Sequence, residues 1–270
     1  MENSKIKNMV YIILIIGAIV LIALLGFGIY KSKTVKTQNP IATIEVQNYG
    51  TIKIELYPDQ APNTVANFIK LANNGFYDGL TFHRTIPEFM IQGGDKEGNG
   101  TGTPKLTDLD KDLEDKEYGI KGEFIANKVN NTLKLEQGVI AMARSDYSNL
   151  SPTLTTKGYD SAGSQFFIMN KDNVSLSGLY AGFGKVIEGL DVVDKIANTE
   201  VYYRSEDLAE GEEAPKDENG NEIASDMPKE KPVMTSVRVE TFGVDYGMPK
   251  TLDTFNYYNW LMQNYYGGQQ

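Results

Sequence analysis

Three short stretches of the chain bring together side-chain types from which a catalytic or binding site can be built. They are FHRTIPEFMIQGGD (82–95), GVIAMAR (138–144) and GSQFFIMN (163–170). In the first, Arg84 holds a guanidinium that stays charged at any relevant pH and presents a rigid fork of hydrogen-bond donors. Taken singly, such an arginine is most often a surface ion-pair partner, and the aromatic and apolar side chains near it are most often core residues. Their meaning therefore depends on the three stretches occurring together.

The composition of the chain excludes several other kinds of chemistry. The 270 residues include no cysteine, which removes thiolate catalysis, disulfides and cysteine-ligated zinc. A single histidine, His83, leaves no multi-histidine metal site and only one place for a histidine-dependent triad. A net charge of -10, from 26 basic and 36 acidic residues, argues against nucleic-acid binding. The chain is 41% hydrophobic and 23% charged, so most of it is expected to fold around a core.

The N-terminal region is typical of a membrane anchor. After a short flank (1–7), no charged residue occurs from Asn8 to Tyr30. A helix over 8–30 spans about 34 Å, enough to cross a hydrocarbon core of about 30 Å. A cleaved signal peptide is the alternative, but no convincing cleavage site follows Ala23. Lysines on both sides leave the orientation open, whereas the absence of cysteine fits a single-pass cell-membrane protein whose folded part lies outside the cytoplasm.

A folded domain is predicted at 41–243, joined to the anchor by a polar linker at 31–40. The runs at 41–46 and 51–57 flank a turn signal at 47–50. The second run alternates apolar and polar residues, which indicates a half-buried strand. The two runs are therefore predicted to form a β-hairpin.

Two helices and six further strands are predicted in this domain. The segment 62–75 repeats apolar residues at helical spacing between Pro62 and Gly75, which are start and stop signals for a helix. A second helix is predicted at 190–197. Further short apolar runs predict strands at 79–84, 88–92, 138–143, 164–169, 182–187 and 235–242. Many short strands with two helices indicate a mainly β fold, a closed or nearly closed barrel.

Three segments do not fit a minimal barrel. Residues 145–162 and 200–231 are predicted to be surface insertions, and the second holds eleven acids against four basic residues. Residues 244–270 form an aromatic tail. Apolar residues recur in this tail at every third position: Leu252, Phe255, Tyr258 and Leu261. That spacing predicts a short amphipathic helix that packs back on the domain.

Taken together, the three stretches resemble the cyclophilins, a family of peptidyl-prolyl cis-trans isomerases. The resemblance runs from about Ile41 to Phe242 and includes APNTVANF (61–68) and LSGLYAGFGKV (176–186). Several independent motifs in the right order make the match specific. It implies a closed eight-stranded antiparallel barrel capped by two helices, with a proline-binding groove on its surface.

The resemblance also implies a mechanism and a set of site residues. It assigns Arg84, Gln92 and Phe89 to catalysis, with Arg84 donating a hydrogen bond to the proline nitrogen as the X-Pro bond twists. It assigns these residues to substrate binding: His83, Met90, Ala143, Arg144, Gln165, Phe167, Leu176 and Tyr180. Because His83 and Arg84 are neighbours on a predicted strand, they are expected to point to opposite faces, and His83 is either structural or a groove-side neighbour. The reaction requires no metal, nucleotide or other cofactor.

The sequence departs from the family pattern beside the predicted groove. Ser175 stands where the best-known members carry tryptophan, Tyr180 where they carry histidine, and Arg144 at a position that is often asparagine. Loss of the indole removes apolar area and an N–H donor, so weak cyclosporin binding is expected. The insertion at 145–162 directly follows a matched contact residue and is expected to lie beside the groove.

Three functions remain open from the sequence. The first is a membrane-anchored prolyl isomerase that acts on proline-containing polypeptides during the folding of exported proteins. The second is a chaperone or scaffold that binds proline-containing segments without turnover. The third is an adaptor whose acidic segment at 200–231 docks a basic partner at the membrane. Retention of Arg84 favours the enzyme, because binding alone does not need a donor aimed at the twisted nitrogen.

Overall fold

A computed structural model of the chain describes residues 9, 11–24, 26, 38–204, 207–209 and 212–266. The chain divides into two compact units, Met1–Gln38 and Asn39–Gln270. In the first unit, residues 11–24 are helical. Within the described residues, no helix has both the length and the apolar character needed to cross a membrane. The rest of the predicted anchor, its N-terminal flank and most of the linker lie largely outside the described residues.

The second unit contains short strands and a few helices, described here in chain order. The strands are β1 (Ile41–Val46), β2 (Gly50–Leu56), β3 (Thr81–Ile86), β4 (Met90–Asp95), β5 (Tyr118–Ile120), β6 (Val139–Met142), β7 (Phe166–Met169), β8 (Gly182–Glu188), β9 (Met234–Glu240) and β10 (Thr251–Asp253). The helices are α1 (Pro62–Asn73), α2 (Leu106–Leu109), α3 (Thr155–Tyr159), α4 (Leu190–Ala197) and α5 (Tyr257–Leu261). The two predicted helices are confirmed as α1 and α4.

Eight strands form one antiparallel sheet, in the order β3-β4-β7-β6-β8-β2-β1-β9. Each of them falls on one of the eight predicted runs, so the mainly β, eight-stranded architecture is confirmed. The sheet curls, but closure of the barrel is less complete than predicted. One end strand, β3, is linked to the residue that precedes the other end strand, β9, by an isolated bridge between Thr81 and Val233. The neighbouring Pro232 has no N–H to donate, which limits the ladder at this joint.

The interior of the curled sheet is filled by aromatic and branched apolar side chains, covered by α1. The largest fully buried ones are Tyr77, Tyr118, Phe68, Phe82, Phe124, Phe166 and Phe183. Phe68 of α1 meets the ring of Phe166 edge-on at 5.7 Å, so helix and sheet pack through aromatic contacts. The N-terminus of α1 is capped from a distance: the Glu123 carboxylate accepts the backbone N–H groups of Asn63 (3.1 Å) and Thr64 (2.8 Å).

The tail forms a strand before it forms a helix. Leu252 lies in β10, which pairs with β5, so the predicted helix over the whole spacing is wrong at its start. The helix α5 begins only at Tyr257. Phe255, between the two elements, packs against Tyr147 of the 145–162 insertion at 5.1 Å between ring centroids. The tail therefore braces the insertion that follows β6.

Candidate active site

The apolar floor of the candidate site is a second hydrophobic cluster, distinct from the interior of the sheet. Its buried members, called the outer cluster below, are Met90, Leu135, Val139, Ala141, Phe167 and Met169. Because successive residues of a strand point to opposite faces, Ile91 and Ile168 belong to the interior while Met90 and Phe167 belong to the outer cluster. Partly buried side chains that include Phe89, Leu176 and Tyr180 pack around it. Four of the predicted site residues thus meet in one place: Phe89, Met90, Phe167 and Leu176.

Arg84 stands at one end of a row that crosses four strands. In the sheet register Arg84 pairs with Gln92, Gln92 with Phe167, and Phe167 with Ala141. Directly opposed residues on neighbouring strands share a face, so this four-strand row lies on the side of the outer cluster. The Arg84 side chain is 39% exposed. A permanently charged donor is therefore accessible to a ligand beside an apolar floor.

Two glutamines connect this row to the loop after β4. Gln92 Nε2 donates to Gln165 Oε1 at 3.1 Å, and Gln165 Nε2 donates to the carbonyls of Gly100 (3.0 Å) and Gly102 (3.1 Å). The buried Asp95 shapes the same loop, since its carboxylate accepts backbone N–H groups that include that of Gly100 at 2.6 Å. The side chains of Gln92 and Gln165, both predicted site residues, are thus held in fixed orientations.

A recess of about 170 Å³ opens next to the two glutamines. Its walls come from the loop at 100–104, from the pair Ala143 and Arg144, and from both ends of the insertion, Ser145 and Ser161. The insertion therefore contributes directly to the surface beside the row, as its position in the sequence predicted. The side chains at these positions are mostly hydroxyls and amides, so the recess is polar.

The Arg144 side chain is fixed among three aromatic rings. Its guanidinium carbon lies 4.8 Å from the ring centroid of Tyr180, 5.1 Å from that of Tyr159 and 5.7 Å from that of Phe124. Its Nε also donates to the Leu179 carbonyl at 3.1 Å. Two of the three residues that depart from the family pattern, Arg144 and Tyr180, thus contact each other, and such cation–π contacts stabilise the position of a guanidinium.

Tyr180 also packs against the outer cluster. Its ring meets that of Phe167 edge-on, with 5.3 Å between the centroids. Phe124 and Tyr159 were not among the predicted site residues, and only their aromatic character marks them in the sequence. Leu176 ends a short 3₁₀ turn, Val174–Leu176. Ser175 in that turn donates a hydrogen bond from its Oγ to Oδ1 of Asn173.

His83 lies apart from the exposed lining of the site. It is 4% exposed, and among the described residues neither ring nitrogen has a hydrogen-bond partner. Burial lowers the pKa of His83 to about 4; the charges of Lys231 and Arg84 add to this effect and Asp95 opposes it. A neutral, enclosed imidazole fits the structural reading of His83 and not direct contact with a substrate.

Two charged residues near Arg84 are not among the predicted site residues. Asp226 contacts Arg84 itself, and Arg204 contacts the next residue, Thr85. Asp226 Oδ2 lies 3.3 Å from Arg84 Nη2, and Asp226 Oδ1 lies 3.3 Å from Arg204 Nη1. Both residues belong to the 200–231 insertion, where the sequence shows a solvated acidic run. Nothing in its pattern distinguishes Asp226 from the ten other acids of the segment, because the contact depends on how the insertion folds back on β3.

Comparison with known proteins places this chain in a family. A model of the family described as cyclophilin type peptidyl-prolyl cis-trans isomerase/CLD matches residues 41–219. Peptidyl-prolyl cis-trans isomerase B of Bacillus subtilis (strain 168) is 43% identical over 156 residues, which cover 58% of this chain and 90% of the relative. A peptidyl-prolyl cis-trans isomerase of Acinetobacter baylyi is 42% identical over 156 residues, covering 56% of this chain and 69% of the relative.

Solved structures agree with the sequence matches. The crystal structure of a Cryptosporidium parvum cyclophilin type peptidyl-prolyl cis-trans isomerase has a TM-score of 0.53 and 26% identity, and the match covers 75% of this chain and 97% of that one. A second structure of that protein, in the presence of the dipeptide Ala-Pro, has a TM-score of 0.52. The family match spans more than half of the chain, and the chain therefore belongs to the cyclophilin-type peptidyl-prolyl cis-trans isomerases.

Proposed function

We propose that this protein accelerates the cis–trans isomerisation of X-Pro bonds in folding polypeptides, with Arg84 as the catalytic donor. Family membership supports the reaction class. The observation that carries the assignment is the four-strand row, in which an exposed guanidinium stands beside the outer cluster. An apolar floor suits the proline ring, and the guanidinium suits the amide that must twist.

The physical requirement of the reaction explains the pairing of these two features. Rotation about an X-Pro bond faces a barrier of ~18–20 kcal/mol because the C–N bond has partial double-bond character. Twisting removes the conjugation and leaves a lone pair on the proline nitrogen. A hydrogen bond from Arg84 to that nitrogen stabilises the twisted state more than either planar isomer. Lowering the barrier by about 7 kcal/mol corresponds to roughly 10⁵-fold acceleration.

Several of the other predicted site residues have a role in this mechanism. The outer cluster, with Phe89 and Leu176 at its border, holds the proline ring while the preceding residue rotates. Gln92 and Gln165 hold the substrate backbone, and Ala143 lies where the peptide passes. The structure determined with Ala-Pro supports proline-containing polypeptides as the substrate class. No covalent bond is formed or broken in this scheme.

We also propose that the enzyme is anchored in the cell membrane and acts on exported proteins. This part of the proposal is supported by the sequence, in which residues 8–30 carry no charge and the chain contains no cysteine. Protease treatment of intact cells tests it: digestion of the domain supports an extracytoplasmic location. Full protection of the domain contradicts that location.

The catalytic assignment is tested by comparing full-length protein with its Arg84→Ala and Arg84→Lys variants. Isomerisation of an X-Pro peptide is slow without a catalyst, taking tens to hundreds of seconds, so the acceleration is directly measurable. We expect kcat/KM to fall by roughly 100-fold in Arg84→Ala, as for removal of a donor aimed at a transition state. Arg84→Lys keeps the charge but not the planar fork and is expected to rescue little.

The alternative is a chaperone or scaffold that binds proline-containing segments without turnover. Peptide binding with no acceleration by folded wild-type protein supports it. Acceleration that persists in a folded Arg84→Ala variant leaves the enzyme in place but removes Arg84 as its donor. Circular dichroism of each variant verifies that the fold is intact.

A further inference from the structure

The 200–231 insertion folds back on β3 and contacts both sides of Thr85, the residue after Arg84. The backbone N–H of Thr85 donates to the carbonyl of Asp226 at 2.9 Å. The carbonyl of Thr85 accepts a hydrogen bond from Nη1 of Arg204. A third bond, from the N–H of Asp226 to the Tyr203 carbonyl (3.0 Å), joins the two arms of the insertion. The insertion is therefore attached to the strand beside the proposed catalytic donor.

Asp226 is the buried centre of a charged triad. Its side chain is 3% exposed and lies 3.3 Å from both Arg84 and Arg204. A carboxylate is this deeply buried in a protein only when cations or hydrogen bonds compensate for lost hydration. Its backbone has φ +61°, a left-handed conformation that aspartate and asparagine tolerate better than most residues. Both backbone and side chain thus hold the carboxylate toward Arg84.

The side chain of Arg84 is more exposed to solvent than that of Arg204. The side chain of Arg84 is 39% exposed and that of Arg204 is 19% exposed. The buried end of the triad therefore restrains the end that faces the groove. Within the described part of the chain the Arg84 guanidinium bonds to Asp226 through Nη2, which leaves other donors of its fork for a substrate.

The charge balance of the triad preserves the positive charge that the reaction needs. One carboxylate is shared by two guanidinium groups, so the triad carries a net charge of about +1. Paired with Arg84 alone, the same carboxylate compensates much of the field that Arg84 exerts on the proline nitrogen. Arg204 therefore offsets Asp226 and leaves Arg84 positioned but still positive.

We propose that Asp226, which the insertion supplies, is a positioning residue for Arg84. The proposal rests on the assignment of Arg84 as the catalytic donor. An unrestrained arginine side chain has many rotamers. If the side chain is not ordered in the free enzyme, its conformational entropy is lost when the transition state forms, which raises the barrier. Asp226 supplies that order in the free enzyme, so the donor is already oriented when the amide twists.

The principal test is Asp226→Asn in the full-length protein. Asparagine keeps the size, one acceptor oxygen and the tolerance of positive φ, but it removes the charge. We expect kcat to fall about tenfold with KM for an X-Pro peptide unchanged, because the donor is misplaced while the groove is intact. The matched control is Glu222→Gln, the same charge change at an exposed acid of the same insertion, and it is expected to retain wild-type kcat.

A double-mutant cycle distinguishes positioning from a general structural effect. If Asp226 acts through Arg84, Asp226→Asn has no further effect in the Arg84→Ala background. An equal loss in both backgrounds overturns the proposal, as does wild-type kcat in folded Asp226→Asn. Asp226→Gly is a second variant for the case that the Asp226→Asn protein does not fold. Glycine adopts a φ of +61° without strain and therefore keeps the backbone path of the insertion.

A measurement independent of turnover separates this inference from the proposed function. ¹⁵N relaxation of the Arg84 Nε–H reports the order of the guanidinium directly. We expect that order to fall in Asp226→Asn and to persist in Glu222→Gln. Unchanged order overturns positioning by Asp226 even if Arg84 is catalytic. Inactivity of wild-type protein or full activity of Arg84→Ala counts against the proposed function instead, while the relaxation data still decide whether Asp226 orders Arg84.

Discussion

Gln92 in β4 and Gln165, the residue before β7, are hydrogen-bonded, with 3.1 Å between Nε2 of Gln92 and Oε1 of Gln165. They are diagonal neighbours, since the direct register partner of Gln92 is Phe167. Gln165 also donates to two carbonyls of the loop after β4. One amide side chain therefore couples the strand that carries Met90 and Gln92 to the loop that borders the polar recess.

Replacing Gln165 by leucine is expected to lower activity more than stability. The variant loses the bond to Gln92 and those to Gly100 and Gly102, so the loop and Gln92 are no longer held. We expect kcat/KM to fall about tenfold, equivalent to about 1.4 kcal/mol of transition-state stabilisation, and Tm to fall by about 2–4 °C. Peptide isomerisation and thermal unfolding measure the two effects.

The control for this prediction is Gln137→Leu, which removes one hydrogen bond to the Asn170 carbonyl. An equal loss of activity in both variants contradicts a specific role for Gln165.

Replacing Arg144 by alanine is expected to loosen the 145–162 insertion. The variant removes the stacking on Tyr180, Tyr159 and Phe124 and the bond to the Leu179 carbonyl. We expect the free energy of unfolding to fall by about 1–2 kcal/mol, with faster proteolytic cleavage inside the insertion. Denaturant unfolding and limited proteolysis measure these effects. Arg144→Lys keeps the charge without the planar stack, so its stability and cleavage rate are expected to lie between those of wild-type protein and Arg144→Ala. An unchanged cleavage rate in Arg144→Ala contradicts a role of Arg144 in holding the insertion.

The low pKa of His83 predicts a pH-dependent stability. The pKa of His83 is about 4 in the folded protein, against an ordinary value of 6.5. Between pH 6.5 and pH 4, the unfolded chain therefore binds a proton at His83 that the folded protein does not bind. Stability from this group is therefore complete above pH 6.5 and is lost as pH falls toward 4, by on the order of 3 kcal/mol in total. Denaturant titrations between pH 7 and pH 4 measure the slope.

The His83→Leu variant isolates this contribution from that of the carboxylates. Leucine removes the two unpaired buried nitrogens and the proton-binding group, so we expect a flatter pH dependence between 6.5 and 4. Because the chain has one histidine, NMR titration of its imidazole is unambiguous. An imidazole that titrates near 6.5 in the folded protein contradicts the prediction.

Cyclosporin inhibition is expected to be weak in wild-type protein and stronger in Ser175→Trp. Ser175 lies in the turn that ends at Leu176, at the border of the outer cluster. An indole at this position adds apolar area and an N–H donor, and we expect the affinity for the drug to rise at least about tenfold, or 1.4 kcal/mol. Inhibition of isomerisation by increasing drug measures both proteins. Potent inhibition of wild-type protein at nanomolar drug contradicts this prediction.

Much of the fold follows from local patterns in the sequence. The alternation in 51–57 and the helical spacing in 62–75 each describe a surface with one buried face, and burial of such faces dictates β2 and α1. The three-residue strand β10 shows no such pattern, because three residues are too few to distinguish a strand from a helix. Its pairing with β5 is set by tertiary contact, which overrides the helical spacing of Leu252 and Phe255.

The candidate site was predictable where motif residues lie on the sheet and not where insertions meet it. Gln92 and Phe167 are direct register partners and share a face, whereas Arg84 lies opposite Gln92 only because the ladder shifts between Phe82 and Arg84. Asp226 is 142 residues from Arg84 in the chain, and its contact depends on the path of an insertion without periodicity. The aromatic surroundings of Arg144 likewise join three separate segments. Sequence patterns report local burial, whereas such contacts depend on global topology.

The pairing of β1 with β9 sets a limit on when the domain can finish folding. The first strand of the sheet hydrogen-bonds to the last one, and Thr235 contacts Glu45 across 190 residues of chain. At about 5–20 residues per second on the ribosome, β1 waits roughly 10–40 s for its partner to be synthesised. Until then one edge of β1 remains unpaired, and a fold that depends on such distant pairing forms slowly. Completion of this sheet therefore has to wait until the chain has been synthesised through β9.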